Sequence, residues 1–279
     1  MNVSPDRIKS PQGFWSGRGR AGRLKAGAGG IRPLRGEEEV SVTMSTGLRS
    51  APSSLLECSA EREAMRRCAT YCRSLDPVEL ALPAPALRDT NVAKWVRDHG
   101  TTVAVRGSED LAVAIGVGIH PMRLVVHADG FSGDEVVFCS ANLGVGRIVA
   151  DTAEQIGLLT SCAVRHRRQR VILGALDAEV VTAVLNGPRL DLVGLYREIG
   201  SGKDWFTEYP AAVGDLVAAM ADIRHRHDVV LTRILVGGGL RLGTRAEDLP
   251  EFARAIEMTL DDACATLRFP RPVVVITAD

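Results

Sequence analysis

Hydrophobic positions along this chain fall into two alternating patterns. Short apolar, β-branched runs occur at Val78–Ala84, Thr101–Val105, Arg123–Ala128, Arg147–Ala150, Arg170–Ala175, Leu190–Leu195, Arg233–Val236 and Pro272–Ile276. Between them lie stretches whose apolar residues recur at helical spacing and whose charges gather on one face. Runs this short and continuous predict strands buried on both faces, as in parallel sheets. Eight strands separated by helices imply right-handed crossovers and close into an α/β fold, the (β/α)8 TIM barrel of about 250 residues. Ahead of the first strand, Leu55, Leu56, Met65, Cys68, Ala69 and Cys72 predict an amphipathic helix over Ser54–Arg73. Residues 1–52 break the pattern. They are rich in Gly, Arg, Ser and Pro, include the run Gly17-Arg-Gly-Arg-Ala-Gly-Arg23, and predict a disordered tail before a barrel domain over 53–279.

Composition narrows the partners. With 46% hydrophobic residues in 279, the chain can bury a full barrel core. No apolar run approaches the roughly 20 residues that span a bilayer, so no membrane association is expected. Acidic and basic residues balance at 34 each, which supplies no global field for nucleic acid and leaves small molecules or other chains as partners. Six scattered cysteines without a signal-peptide pattern favour reduced thiols and a cytoplasmic location. Cys68 and Cys72 share a helix face, but no third ligand accompanies them. Core packing is expected there, and no metal site.

In such barrels the working residues stand at strand carboxyl ends. The seventh run breaks into Gly237, Gly238 and Gly239, whose bare backbone either makes a tight turn or offers N–H groups to a phosphate. Its place after strand seven favours the phosphate, because barrels often bind phosphate after strands 7 and 8. The other ends carry Ala84-Pro85, Ala104, His127-Ala-Asp129, Asp151, Gly174, Glu198-Ile-Gly-Ser201 and Thr277. His127 and Asp129 are either a proton-transfer pair or, the preferred reading, structural. His225-Arg-His227 is read as the basic end of a helix and not as a metal site. Of four lysines (Lys9, Lys25, Lys94, Lys203), only Lys203 falls near a strand end, and imine chemistry needs a lysine amine.

Several segments in order resemble the fold type III pyridoxal-phosphate decarboxylases, the diaminopimelate, ornithine and arginine decarboxylases with their alanine racemase-like barrel. These are Asn91-Val-Ala-Lys-Trp-Val-Arg-Asp-His-Gly100 with Gly107-Ser-Glu-Asp-Leu-Ala-Val-Ala114, and Gly146-Arg-Ile-Val-Ala-Asp-Thr-Ala-Glu-Gln-Ile156. Leu192-Val-Gly-Leu-Tyr-Arg-Glu-Ile-Gly-Ser201 is similar to the family's GLHxHIGS segment, and Val236-Gly-Gly-Gly-Leu240 to its phosphate-binding glycine loop. The resemblance runs from about Leu75 to Asp279.

The departures matter as much. Against the family's YAVKAN strand, Leu82-Pro-Ala-Pro-Ala-Leu87 places Pro85 at the cofactor lysine. Glu198 stands for the ring-stacking histidine, Ala104 for a strand-end aspartate and Gly174 for a strand-five arginine. Thr277 stands where the family's glutamate holds the pyridinium nitrogen, and a neutral hydroxyl cannot favour that cation. On this resemblance, the family's β-rich carboxy-terminal domain is expected to be missing after Asp279. The resemblance thus implies a barrel without catalytic residues that retains at most a phosphate site at Ser201, Gly237, Gly238 and Gly239. Its ligand would be a small anion or pyridoxal phosphate held without a covalent bond. Two alternatives stay open. One is an active decarboxylase of lysine biosynthesis using Lys203 or groups from a partner chain. The other is a non-catalytic subunit, homodimeric or paired with a related decarboxylase.

Overall fold

The computed structural model describes residues 53–278 apart from 163, 165, 166, 201–203, 242 and 243. The tail expected over 1–52 therefore lies outside the described residues. The apolar runs become eight parallel strands: β1 (Glu79–Pro83), β2 (Thr102–Val105), β3 (Leu124–His127), β4 (Arg147–Ala150), β5 (Gln169–Leu173), β6 (Leu190–Glu198), β7 (Arg233–Gly237) and β8 (Val273–Thr277). They pair in sequence order and β8 returns to β1, closing the barrel. The (β/α)8 expectation holds. β6 runs to Glu198, beyond the predicted Leu195, because Arg197 and Glu198 continue the ladder opposite Val236 and Gly237 of β7. Polarity ended the prediction early, but hydrogen bonding carries the strand on.

The predicted amphipathic helix is α1 (Ser53–Leu75), ahead of β1. Helices α2 (Thr90–His99), α3 (Ser108–Gly116), α4 (Gly133–Val137), α5 (Ala153–Ser161), α6 (Ala178–Asn186), α7 (Trp205–His227) and α8 (Leu249–Leu267) follow successive strands. Local chemistry starts them close to the strand ends. Asp89 accepts from the Asn91 N–H at 2.9 Å to cap α2, and Thr152 with Gln155 forms a reciprocal capping box on α5. His225, Arg226 and His227 close the last turn of α7, where positive charge suits the helix dipole.

Strand alternation divides the core. Outward residues such as Leu82, Val103, Val126, Ile148 and Ile276 join the helices in one large cluster. Ala81, Val125, Val149, Ile172, Tyr196, Leu235 and Val275 fill the barrel interior as a second. Each inward residue fixes what stands two positions later, at the carboxyl-terminal mouth.

Candidate functional site at the barrel mouth

Continuing the inward face from each strand of the interior cluster gives the residues that surround the mouth. From Ala81 the next inward position is Pro83, not Pro85, which is exposed in a 3-10 turn beyond β1. Strand parity thus sets Pro83 at the inward end of β1 and leaves Pro85 outside the ring. A proline stands there either way, and it has no amine. The other inward ends are Arg106 after β2, His127, Asp151, Gly174, Glu198, Gly237 and Thr277. Among these eight positions there is no lysine. Lys94 lies in α2, and Ser201 and Lys203 lie outside the described residues.

Arg106 is the group that sequence reasoning missed. Ala104 faces inward between the outward Val103 and Val105, so Arg106 is aimed over the mouth, a signal present in the alternation but passed over for Ala104 itself. Its Nη2 donates to Glu198 Oε2 at 2.8 Å and to the Tyr196 hydroxyl at 3.2 Å. Glu198 and Tyr196 belong to β6, four places from β2 in a ring of eight strands, so the contact crosses the barrel from one side to the other.

Beneath this span lie polar atoms without protein partners: His127 Nε2, Asp151 Oδ1 and Thr277 Oγ1. The His127 ring packs edge-on against Tyr196 at 4.9 Å. Burial, and then the Arg106 cation, push its pKa down to about 4 against the pull of Asp129, so the imidazole is neutral at physiological pH. Asp129 is exposed and no hydrogen bond joins it to His127 Nε2, so the pair does not form the direct relay weighed from sequence. Burial and the Asp129 charge raise the Asp151 carboxyl above its usual range, while the Gly174 N–H opposes them. Asp151, Gly174, Tyr196 and Glu198 line an open cleft of about 340 Å³.

The glycine run divides in two. Gly237 is the last residue of β7 and not part of the loop. A Cβ there would sit 2.5 Å from Thr277 Oγ1, 2.9 Å from the Tyr196 hydroxyl and 3.1 Å from Arg106 Nη2, so only glycine lets these groups converge. Gly238 and Gly239 turn with φ of 79° and 83°. The Gly237 carbonyl accepts from the Ile199 N–H at 2.7 Å and the Gly238 carbonyl from the buried Tyr209 hydroxyl. With the carbonyls held, the N–H groups of Gly238 and Gly239 have no partner among the described residues. Glu198 Oε1 lies 3.1 Å from the Cβ position of Gly238, so the Arg106 cation also offsets a negative charge beside the loop.

A separate cavity of about 190 Å³ between α1 and the barrel wall is lined by Cys68, Tyr71, Cys72, Leu80, Leu82 and Val92. Burial raises both thiols, Cys72 to about 11, which keeps them protonated and apolar in behaviour.

The closed parallel barrel is a fold shared with solved amino-acid decarboxylases. Diaminopimelate decarboxylase from Helicobacter pylori complexed with L-lysine superposes with a TM-score of 0.64 at 13% identity, covering 78% of this chain and 61% of that one. Arginine decarboxylase from Paramecium bursaria Chlorella virus gives 0.62 at 14% identity, covering 81% and 67%. No family model matches the chain. Its sequence relatives are more particular. It is 26% identical over 273 residues to diaminopimelate decarboxylase of Actinosynnema pretiosum subsp. auranticum, covering 87% of this chain and 61% of that protein. It is 24% identical over 230 residues to that of Mycobacterium leprae, covering 69% and 48%. The chain is a (β/α)8 barrel similar in sequence to diaminopimelate decarboxylases, and it spans about half to three-fifths of the curated relatives it matches.

Proposed function

We propose that this barrel does not decarboxylate amino acids and serves as a binding module for a phosphate-type anion at the turn after β7. The observation that carries the reading is the ring of inward strand ends, in which Pro83 replaces any amine and no other position supplies a lysine. Pyridoxal phosphate as a working cofactor does not fit these residues. An imine needs the missing amine, and Thr277, with its buried hydroxyl, offers no anion to a ring nitrogen. The phosphate group alone fits better. Two glycines at positive φ leave bare backbone that an anion can approach closely, and Arg106 lies within reach of Gly237.

Two measurements test this. Carbon dioxide release from meso-diaminopimelate should equal a no-protein control after incubation with pyridoxal phosphate, and release that borohydride abolishes would refute the loss of chemistry. Inorganic phosphate at a hundred times its dissociation constant should stabilise the fold by about 2.7 kcal/mol. For a domain of this size that is a rise of roughly 5 to 10 °C in melting temperature. No rise at millimolar phosphate would leave the glycines as a turn and nothing more.

A further inference from the structure

We infer that the Arg106–Glu198 pair is a strut across the barrel mouth that selects small phosphates and excludes ring-bearing ones, an inference that rests on the anion reading of the glycine turn. Three observations carry it. First, β2 and β6 face each other across the closed ring, so a side chain of one bonded to side chains of the other divides the opening. Second, the guanidinium sits directly over Gly237, with Nη2 3.1 Å from the missing Cβ, and Thr277 Oγ1 and the Tyr196 hydroxyl are closer still. That is the space a ring attached to a phosphate at Gly238 and Gly239 would have to enter. Third, one guanidinium nitrogen, Nη2, donates to both the Glu198 carboxylate and the Tyr196 hydroxyl, which ties the side chain to two positions of β6. A compact anion at the turn needs none of that space.

Charge sets the form of the test. Removing Arg106 alone would uncover Glu198 beside the turn and repel every anion, so the strut must be removed as a neutral pair. Arg106→Ala with Glu198→Ala keeps the net charge and opens the mouth. The probes are inorganic phosphate and pyridoxine 5′-phosphate, which carries the ring but no aldehyde and cannot label lysines. Calorimetric titration of the wild-type protein should show pyridoxine 5′-phosphate binding at least tenfold more weakly than phosphate. In the double variant the ratio of the two affinities should move toward the ring-bearing ligand by about tenfold, or 1.4 kcal/mol. A larger change is not expected, because the Arg106 and Glu198 side chains are 38% and 45% exposed and such pairs are modest. Arg106→Ala alone should weaken both ligands.

A ratio that stays within twofold of wild type overturns the strut, as does wild-type protein that binds both probes equally. If wild type takes neither anion while the double variant takes pyridoxine 5′-phosphate, the pair blocks the mouth, but the anion reading of the native turn falls and the selection of small phosphates falls with it. If neither protein takes either probe, both fall. Circular dichroism checks folding, and Arg106→Ser with Glu198→Gln provides a second neutral pair should the first misfold.

Discussion

The neutral imidazole buried under the mouth makes the stability of this barrel depend on pH in a predictable direction. His127 is 2% exposed and its pKa is lowered from 6.5 to about 4, first by burial and then by Arg106. A depressed histidine pKa means that the unfolded chain binds the proton more readily than the folded one. Stability from this group is therefore complete above about pH 6.5 and is lost as pH falls toward 4. Between pH 7 and 4.5 the loss is about 2.5 kcal/mol, from about 1.4 kcal/mol for each pH unit by which the two pKa values differ. Asp151 acts the other way. Its raised carboxyl pKa disfavours the folded state once ionised, so its own contribution improves as pH falls and it accepts the proton.

The perturbation that isolates the histidine is His127→Phe, which keeps an aromatic ring edge-on to Tyr196 and removes the unpartnered Nε2. Urea melts at pH 7, 5.5 and 4.5 give the assay. At pH 7 the two proteins should differ by less than about 1 kcal/mol, since deleting an unsatisfied polar atom with its shape conserved is close to neutral. At pH 4.5 the variant should be more stable by about 2.5 kcal/mol, a gap of roughly 1 M between urea midpoints for a slope of 2 to 3 kcal/mol/M. Parallel pH dependences would refute the reasoning and would mean that the imidazole is solvated or proton-accessible in the folded barrel.

Three further outcomes follow from the mouth. Gly238→Ala should lower stability by about 1 to 2 kcal/mol for the left-handed backbone alone, and by more because its Cβ would drive into the Ile199 carbonyl; a melting temperature within 1 °C of wild type would contradict this. Tyr209→Phe should cost about 1 to 3 kcal/mol by orphaning the buried Gly238 carbonyl, and should also blunt the phosphate-dependent rise in melting temperature by freeing the turn. Pro83→Lys should form at most a weak imine band with pyridoxal phosphate and no turnover of diaminopimelate, because Thr277 and the strut remain; turnover would show those groups to be dispensable.

The fold was legible because its signal is redundant. Eight apolar runs separated by helical spacing leave few alternatives, and even a run as short as Arg147–Ala150 is fixed by its neighbours in the ring. The mouth was legible only in part. His127, Asp151, Glu198 and Thr277 could be named because they lie at the ends of visible runs. Arg106 is marked only by the alternation of β2, and its bond to Glu198 comes from a strand on the far side of the barrel. Strand parity is hidden in the same way: motif letters single out Pro85, whereas the interior position of Ala81 turns Pro83 toward the mouth. Gly237 also shows how one residue type serves two needs, close convergence of polar groups in a strand and positive φ in the turn that follows.

The mouth also shows how the barrel keeps its structure around polar strand ends. The interior layer under the mouth is apolar and complete, so strand ends are free to vary without reopening the core. An unpaired Glu198 would crowd the glycine turn with negative charge, and an unpaired Arg106 would leave a lone cation at the mouth. Bonded to each other, they neutralise both costs and bring the Tyr196 hydroxyl into the same network. His127 and Thr277 are not rescued in this way; their buried polar atoms remain without protein partners. Groups of that kind are normally satisfied by ordered water or a ligand. If the proposed strut holds, it and the orphans set one demand on an occupant: small enough to pass beside Arg106 and polar enough to answer a hydroxyl and a neutral imidazole.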